Sequence, residues 1–208
     1  MNNNKAVFTG VVLAGGQSLR MGSDKANLRL KNKTLLQNAY ELLKAAGASK
    51  VLISRNTQST IAQYIPDIYP NLGPLGGIYS TLIATEHDLL ITAVDMPLLT
   101  STLLSQIASA GSENSCVQKN QSQIHAWHFE NEPLPLYIRN TSGVKNHLKH
   151  ILTNANSHKS IKQFTKSIGV QTLICNKAHA LINTNTPAQF KAVNAHIDQS
   201  INQLRRTL

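Results

Sequence analysis

The run Leu13-Ala14-Gly15-Gly16-Gln17-Ser18-Leu19-Arg20-Met21-Gly22-Ser23-Asp24-Lys25 combines small residues with two cations. Glycines just past an apolar strand let the backbone bend into conformations closed to other residues, so main-chain N–H groups can approach a phosphate closely. Arg20 and Lys25 follow that turn. Charge-assisted contacts from Arg and Lys stabilise a bound polyphosphate and a departing pyrophosphate alike. The run lacks the Gly-Lys-Ser/Thr ending of a Walker A loop and the G-x-G-x-x-G spacing of the dinucleotide fingerprint, which disfavours both classes. A Gly-Gly turn alone is as often a plain tight turn as an anion site; the two cations favour the anion site.

A second candidate is the acid in Thr92-Ala93-Val94-Asp95-Met96-Pro97. It ends an apolar strand, and in open α/β sheets ligands bind beyond the carboxyl ends of the strands. Asp95 can therefore face the same cleft as Gly15. Magnesium takes oxygen ligands, commonly one or two carboxylates with substrate phosphates and water, so Asp95 is the expected metal ligand. Taken alone, Asp95 is more readily explained as the start of a turn before Pro97 than as a metal ligand. The eight histidines, His125 and His128 among them, show no metal-type spacing. Cys116 and Cys175 are isolated, giving neither a disulfide framework nor a zinc motif, and are expected to be buried, reduced thiols.

These residues need a scaffold, and the hydrophobic pattern supplies one. Strand-length apolar runs alternate with helical patterns, the signature of a mostly parallel sheet covered by helices. Strands are expected at Ala6–Ala14, Lys50–Arg55, Asp88–Val94 and Gln171–Cys175, with strand-like pieces at Ser115–Gln118 and Ile124–Phe129 in an irregular stretch. Helices are expected between Thr34 as cap and Gly47 as stop, around Gln58–Tyr64, from Gly76-Gly77 to about Thr85, from Thr100 or Ser101 to Ala108, at Ser142–Thr153 and at Ile161–Ile168. Pro187 after Thr186 starts the last helix, whose stripe Phe190, Val193, Ile197, Ile201 and Leu204 should pack on the core. At 208 residues the chain is expected to form a single domain over residues 1–208, with residues 1–5 frayed.

A net charge of +10 calls for an anionic partner. The basic residues are dispersed, with no block longer than Arg205-Arg206, and few aromatics accompany them. That distribution favours a basic surface around an anion-binding cleft over a nucleic-acid surface. No secretory signal or membrane-spanning run is seen, so a soluble cytoplasmic protein without a membrane partner is expected.

The stretch Leu-Ala-Gly-Gly-x-Ser-x-Arg-Met-Gly-x-Asp-Lys at Leu13–Lys25 resembles the signature loop of the MobA-type nucleotidyltransferases, the molybdenum cofactor guanylyltransferases. Gly73-Pro74-Leu75-Gly76-Gly77, the Asp-x-Pro at Asp95–Pro97 and Asn183-Thr184-Asn185-Thr186-Pro187 are similar to three further family motifs, so the resemblance spans nearly the whole chain. It implies an α/β, Rossmann-like three-layer domain that transfers GMP from GTP to molybdopterin with Mg2+. By resemblance the nucleotide is held by Leu13, Ala14, Gly15, Gly16, Arg20 and Lys25, the metal by Asp95, and the pterin side is formed by Asn183 and Asn185. Where some family members carry Asn after the second strand this chain has Ser54-Arg55-Asn56, so that nucleotide contact falls on Ser54, shifts to Asn56 or is absent. Asp67 is the acid available upstream of Gly73 for the corresponding acidic contact. CTP or another phosphorylated acceptor is the nearest rival substrate, and cofactor-delivery and molybdoenzyme-maturation proteins are partners by resemblance only.

Overall fold

The computed structural model describes residues 7–15, 25–56, 63–113, 124–186 and 188–195. The organising element is β1 (Phe8–Leu13), all six of whose residues are buried. Its side chains alternate between two cores. Phe8 and Val12 face a core shared with α1 (Leu35–Ala45) and α3 (Ser101–Glu113), whereas Val11 and Leu13 face one shared with α2 (Pro74–Ile83), α4 (Ser142–Thr153) and α5 (Ile161–Ser167). The period-two alternation thus separates three layers, helices, sheet and helices. Gly10 lets α1 close on the sheet, since a Cβ there would lie 3.0 Å from Leu43 Cβ and 3.1 Å from Ala48 Cβ.

Seven strands form the sheet in the order β5-β4-β1-β6-β8-β7-β9, with β4 at Lys50–Ser54, β5 at Tyr64–Ile65, β6 at Asp88–Ala93, β7 at Ala126–Phe129, β8 at Glu132–Ile138 and β9 at Val170–Leu173. Strands β1, β4, β5 and β6 are mutually parallel, β7 pairs parallel with β9, and β8 runs antiparallel to both β6 and β7. The expected mostly parallel α/β sheet is therefore present. A small hairpin, β2 (Arg29–Leu30) with β3 (Lys33–Thr34), precedes α1.

Local signals explain the best-anticipated elements. Thr34 caps α1 in a capping box, its Oγ1 accepting from Gln37 N at 3.1 Å while Gln37 Oε1 accepts from Thr34 N at 2.9 Å. Such a cap is worth about 1 kcal/mol. Gly47, at φ 102°, turns the chain away at the other end. Leu89, Leu90 and Ile91 of β6 are fully buried, as a strand covered on both faces requires.

Several expectations need correction. α2 begins at Pro74 rather than at Gly76, with Pro74 in the first turn where its missing N–H costs nothing. α3 runs on to Glu113, five residues beyond the expected Ala108. Tyr64 lies in a strand beside β4, not in a helix; the rest of Gln58–Tyr64 up to residue 62 lies outside the described residues, as do Ser115–Gln118 and Cys116. β8 emerges from the stretch read as irregular. Cys175 is half-buried rather than buried. Residues 188–195 are helical and Phe190 packs against the core, while Ile197, Ile201 and Leu204 lie outside the described residues.

Candidate active site

Three parallel strands end level with one another. Leu13 pairs with Ser54 of β4 on one side and with Ala93 of β6 on the other. The ladder extends one step beyond, with Ala14 N donating to Ser54 O at 3.0 Å and Val94 N to Leu13 O at 3.2 Å. Past that line Gly15 is exposed and Asp95 half-buried, on adjacent strands. Helix α1, which follows β1, packs on one face of the sheet, and α2, which precedes β6, packs on the other. The crevice between β1 and β6 is therefore a topological switch point, the place where open α/β sheets bind ligands.

Lys25 closes this crevice. It begins a single 3-10 turn, Lys25–Asn27, whose Ala26 is 1% exposed and seats the turn in the core. Its Nζ donates to Asp95 Oδ2 at 3.3 Å, to Thr184 O at 3.2 Å and to Asn185 Oδ1 at 3.0 Å. Both ends of the Lys25–Asp95 pair keep some solvent access, 17% and 21% of the side chain. The oxygens from Thr184 and Asn185 arrive because the C-terminal segment is strapped to the strand end. Thr184 N donates to Asp95 O at 2.8 Å, with Thr184 Oγ1 3.3 Å from the same carbonyl. Gln189 Oε1 accepts from Asn185 N at 2.8 Å and from Thr186 N at 3.1 Å, while Gln189 N donates to Thr186 Oγ1 at 3.2 Å, a reciprocal cap on the last helical segment. Asn183 is half-buried, and its Oδ1 is buried without a hydrogen-bond partner among the described residues.

The Lys25 ammonium marks a point where one carboxylate, one amide oxygen and one main-chain carbonyl converge on a positive charge. That donor set is hard and oxygen-only, with a single acid. It fits a magnesium ion completed by phosphate oxygens and water, not a cage built wholly from protein carboxylates. Among the described residues no group of three or more His, Cys, Asp or Glu could hold a metal.

A second acid lies at the neighbouring strand end. Asp67, half-buried, accepts from Ser54 Oγ at Oδ1 (3.4 Å) and from Asn56 Nδ2 at Oδ2 (3.2 Å), and Asp67 N donates to Asn56 Oδ1 at 2.7 Å. Loss of hydration pushes its carboxyl above the usual carboxylate value, opposed by the two side-chain hydrogen bonds. Gly77 makes the arrangement possible, because a Cβ there would overlap Ser54 Oγ; one at Gly76 would meet Tyr69 O at 2.7 Å.

The residues expected from the sequence fall into two groups. Lys25, Asp95 and Asn185 come into direct contact, with Asn183 two residues from Asn185, and Leu13, Ala14 and Gly15 form the adjoining strand end. Ser54 and Asp67 come together one strand away. Ser54 is 3% exposed, so its hydroxyl is spent on Asp67 and its carbonyl on Ala14. Gly16, Arg20 and Pro187 lie outside the described residues. The Thr184 carbonyl and the double contact of Asn56 with Asp67 were not foreseen. The carbonyl has no residue-type signal at all, whereas Asn56 was visible as the next amide after β4. Of the two histidines singled out, His128 is buried with Nδ1 2.7 Å from Phe129 O, and desolvation, with Arg139 nearby, lowers the pKa of His125.

Residues 10–174 match the family described as the MobA-like NTP transferase domain. The molybdenum cofactor guanylyltransferase of Xanthomonas euvesicatoria is 36% identical over 88% of this chain and 92% of its own length. A probable molybdenum cofactor guanylyltransferase of Carboxydothermus hydrogenoformans is 30% identical over 88% of this chain and 93% of its own. Among solved structures, molybdopterin-guanine dinucleotide biosynthesis protein A of Archaeoglobus fulgidus superposes with a TM-score of 0.72 at 19% identity, covering 92% of this chain and 99% of that one.

Proposed function

The chain belongs to the MobA-like NTP transferase family, and on that premise we propose that it transfers GMP from GTP to molybdopterin or its metal-loaded form, releasing pyrophosphate. The observation that carries this reading is the meeting of Lys25 and Asp95, 3.3 Å apart, at the switch point beside Gly15.

The main chain at Gly15 and Gly16, with Arg20 and Lys25, takes the phosphates, while Leu13 and Ala14, held in the ladder, form the strand end against which the nucleotide lies. Two unit charges about 4 Å apart interact by roughly 4 kcal/mol at an effective dielectric near 20. A triphosphate offers several charges where Asp95 offers one, so Lys25 leaves the carboxylate for the phosphates when nucleotide binds. Asp95 is then released as the magnesium ligand, with Asn185 and the Thr184 carbonyl beside it. Bound magnesium supplies positive charge against the phosphate oxygens and the departing pyrophosphate.

An oxygen of the acceptor's terminal phosphate attacks the α-phosphorus of GTP. The bond from that phosphorus to the oxygen bridging to the β-phosphate breaks, and pyrophosphate leaves with the electron pair. The nucleophile is already anionic, so no general base is required and catalysis reduces to alignment and charge neutralisation. Lys25 and Arg20 hold the leaving group, and Asn183, whose buried Oδ1 has no hydrogen-bond partner among the described residues, and Asn185 face the pterin side. Asp67 is the base-reading acceptor for guanine, with Ser54 acting through it. No helix among the described residues is long and apolar enough to cross a membrane, and the reaction is assigned to the cytoplasm, where delivery and maturation proteins would exchange the cofactor with it.

The test is pyrophosphate release from molybdopterin with each nucleoside triphosphate in turn, with Mg2+ and with chelator. GTP is expected to be preferred and the chelated reaction to stop. Preferential turnover of CTP would remove the guanylyl assignment, and release unaffected by chelation would remove the metal.

A further inference from the structure

We infer that Asn56 is a positioning residue for base selection: its single carboxamide grips Asp67 by main chain and side chain together and sets that carboxylate to face the edge of guanine. The inference rests on the guanylyl reading above and goes beyond it, because it gives Asn56 control over which base is accepted through its hold on Asp67, where the sequence offered it only as a direct nucleotide contact.

Asn56 touches Asp67 twice, Oδ1 accepting the Asp67 N–H at 2.7 Å and Nδ2 donating to Asp67 Oδ2 at 3.2 Å. Two contacts from one planar amide define an orientation, which a single contact does not. The other carboxylate oxygen receives Ser54 Oγ at 3.4 Å. The carboxylate is backed by the first turn of α2, where a Cβ at Gly76 would lie 3.5 Å from Oδ2 and one at Gly77 would lie 3.4 Å from Oδ1. An ionised carboxylate has about four acceptor positions. Among the described residues Ser54 and Asn56 take one on each oxygen, leaving one on each for a ligand.

Two adjacent acceptors match a base edge that presents two adjacent donors. Guanine does so with N1–H and the 2-amino group. Cytosine and adenine each set a donor beside a ring-nitrogen acceptor, which would face the second carboxylate oxygen lone pair to lone pair. Sites that hydrogen-bond a substrate group discriminate strongly against analogues lacking it, because the buried partner is then unpaired. Turning the carboxylate away from this pose would cost discrimination without touching the phosphates. Asn56 is itself exposed, and its role is to hold Asp67 rather than to fill the core.

The test compares wild type, Asn56→Ala and Asn56→Asp for equilibrium binding and pyrophosphate release with GTP, ITP (which lacks the 2-amino group) and CTP, alongside thermal unfolding. Asn56→Ala is expected to raise KM and Kd for GTP about tenfold, the loss of one charge-assisted hydrogen bond, with kcat within about twofold and a smaller preference for GTP over ITP. Asn56→Asp keeps the acceptor for Asp67 N but sets one carboxylate against another. A loop tether alone predicts that this variant behaves as wild type; positioning predicts weaker GTP binding than in Asn56→Ala. Equal losses for all three nucleotides, or an unchanged GTP-to-ITP ratio in both variants, would overturn the inference while leaving the guanylyl reading intact. A wild-type protein that prefers CTP, or that does not discriminate among the three, would remove the guanylyl reading and this inference with it.

Discussion

Two aspartates bracket the same central strand and are held in opposite ways. Asp88, at the start of β6, accepts from Tyr137 Oη at 3.0 Å and from Asn140 N at 2.9 Å. Asn140 Nδ2 then donates to Leu82 O, Thr85 O and His87 O, tying the turn before β6 to the end of β8. Burial and the neighbouring Asp88 charge hold the Tyr137 hydroxyl protonated well beyond the ordinary tyrosine range, so it remains a donor to that carboxylate. Asp95, just beyond the other end of β6, has a flexible ammonium as its side-chain partner and retains solvent access. Neutral donors fixed by the fold make a carboxylate a clamp; an exchangeable cation makes it available to a ligand. The same residue type is therefore a fold clamp at one end of the strand and, in the role proposed above, a ligand site at the other.

The comparison is broken most forcefully by exchanging the losses. Asp95→Ala should lower turnover by about two to three orders of magnitude, the scale of removing a principal electrostatic group from a reacting site. Its melting temperature should stay close to wild type, since a partly exposed ion pair is worth about 0–1 kcal/mol. A stable Asp95→Ala protein with unchanged pyrophosphate release would end the assignment. Lys25→Ala should weaken GTP binding by about tenfold to a hundredfold, from the loss of charge-assisted phosphate contacts, as read by calorimetry. Asp88→Ala should show the opposite pattern. It strands a buried tyrosine hydroxyl and a main-chain N–H at about 1–3 kcal/mol each, lowering the melting temperature by several degrees, with activity near wild type below the transition.

The smallest effect belongs to the third acid. Desolvation raises the Asp67 carboxyl in the folded protein, so the ionised form is disfavoured by folding at neutral pH, and that cost fades as pH falls and the group protonates. Asp67→Asn should therefore be slightly more stable than wild type near neutrality, with the difference narrowing toward acid pH in thermal melts. The same substitution should impair GTP selection, because an amide presents a donor where guanine needs an acceptor. In wild type, GTP affinity should fall as pH drops through the raised carboxyl value.

What could be read from the sequence follows the range of the forces involved. Thr34 and Gly47 bound α1 through contacts within a few residues, and the apolar run of β6 declares a buried strand, so both were legible. Gly15 and Asp95, which flank the crevice, were legible because each follows a strand end. β8 was obscured by Pro133 and Pro135, residues that argue against a strand. They lie where the register against β7 shifts between His128 and Phe129, an irregularity that spares the regular pairing at Leu136–Ile138. The contact of Lys25 with Asn185 joins residues 160 positions apart, and the contribution of Thr184 comes from its backbone. Neither has a local pattern, since only the packing of the C-terminal segment against Asp95 creates them.

The most direct measurement is a crystal structure of the protein with magnesium and a GTP analogue that resists transfer at the α-phosphorus. The predicted result has the triphosphate along the Gly15 turn, Lys25 Nζ moved from Asp95 onto phosphate oxygens, and Asp95 facing the metal. A triphosphate bound elsewhere, with the Lys25–Asp95 pair intact, would contradict the account.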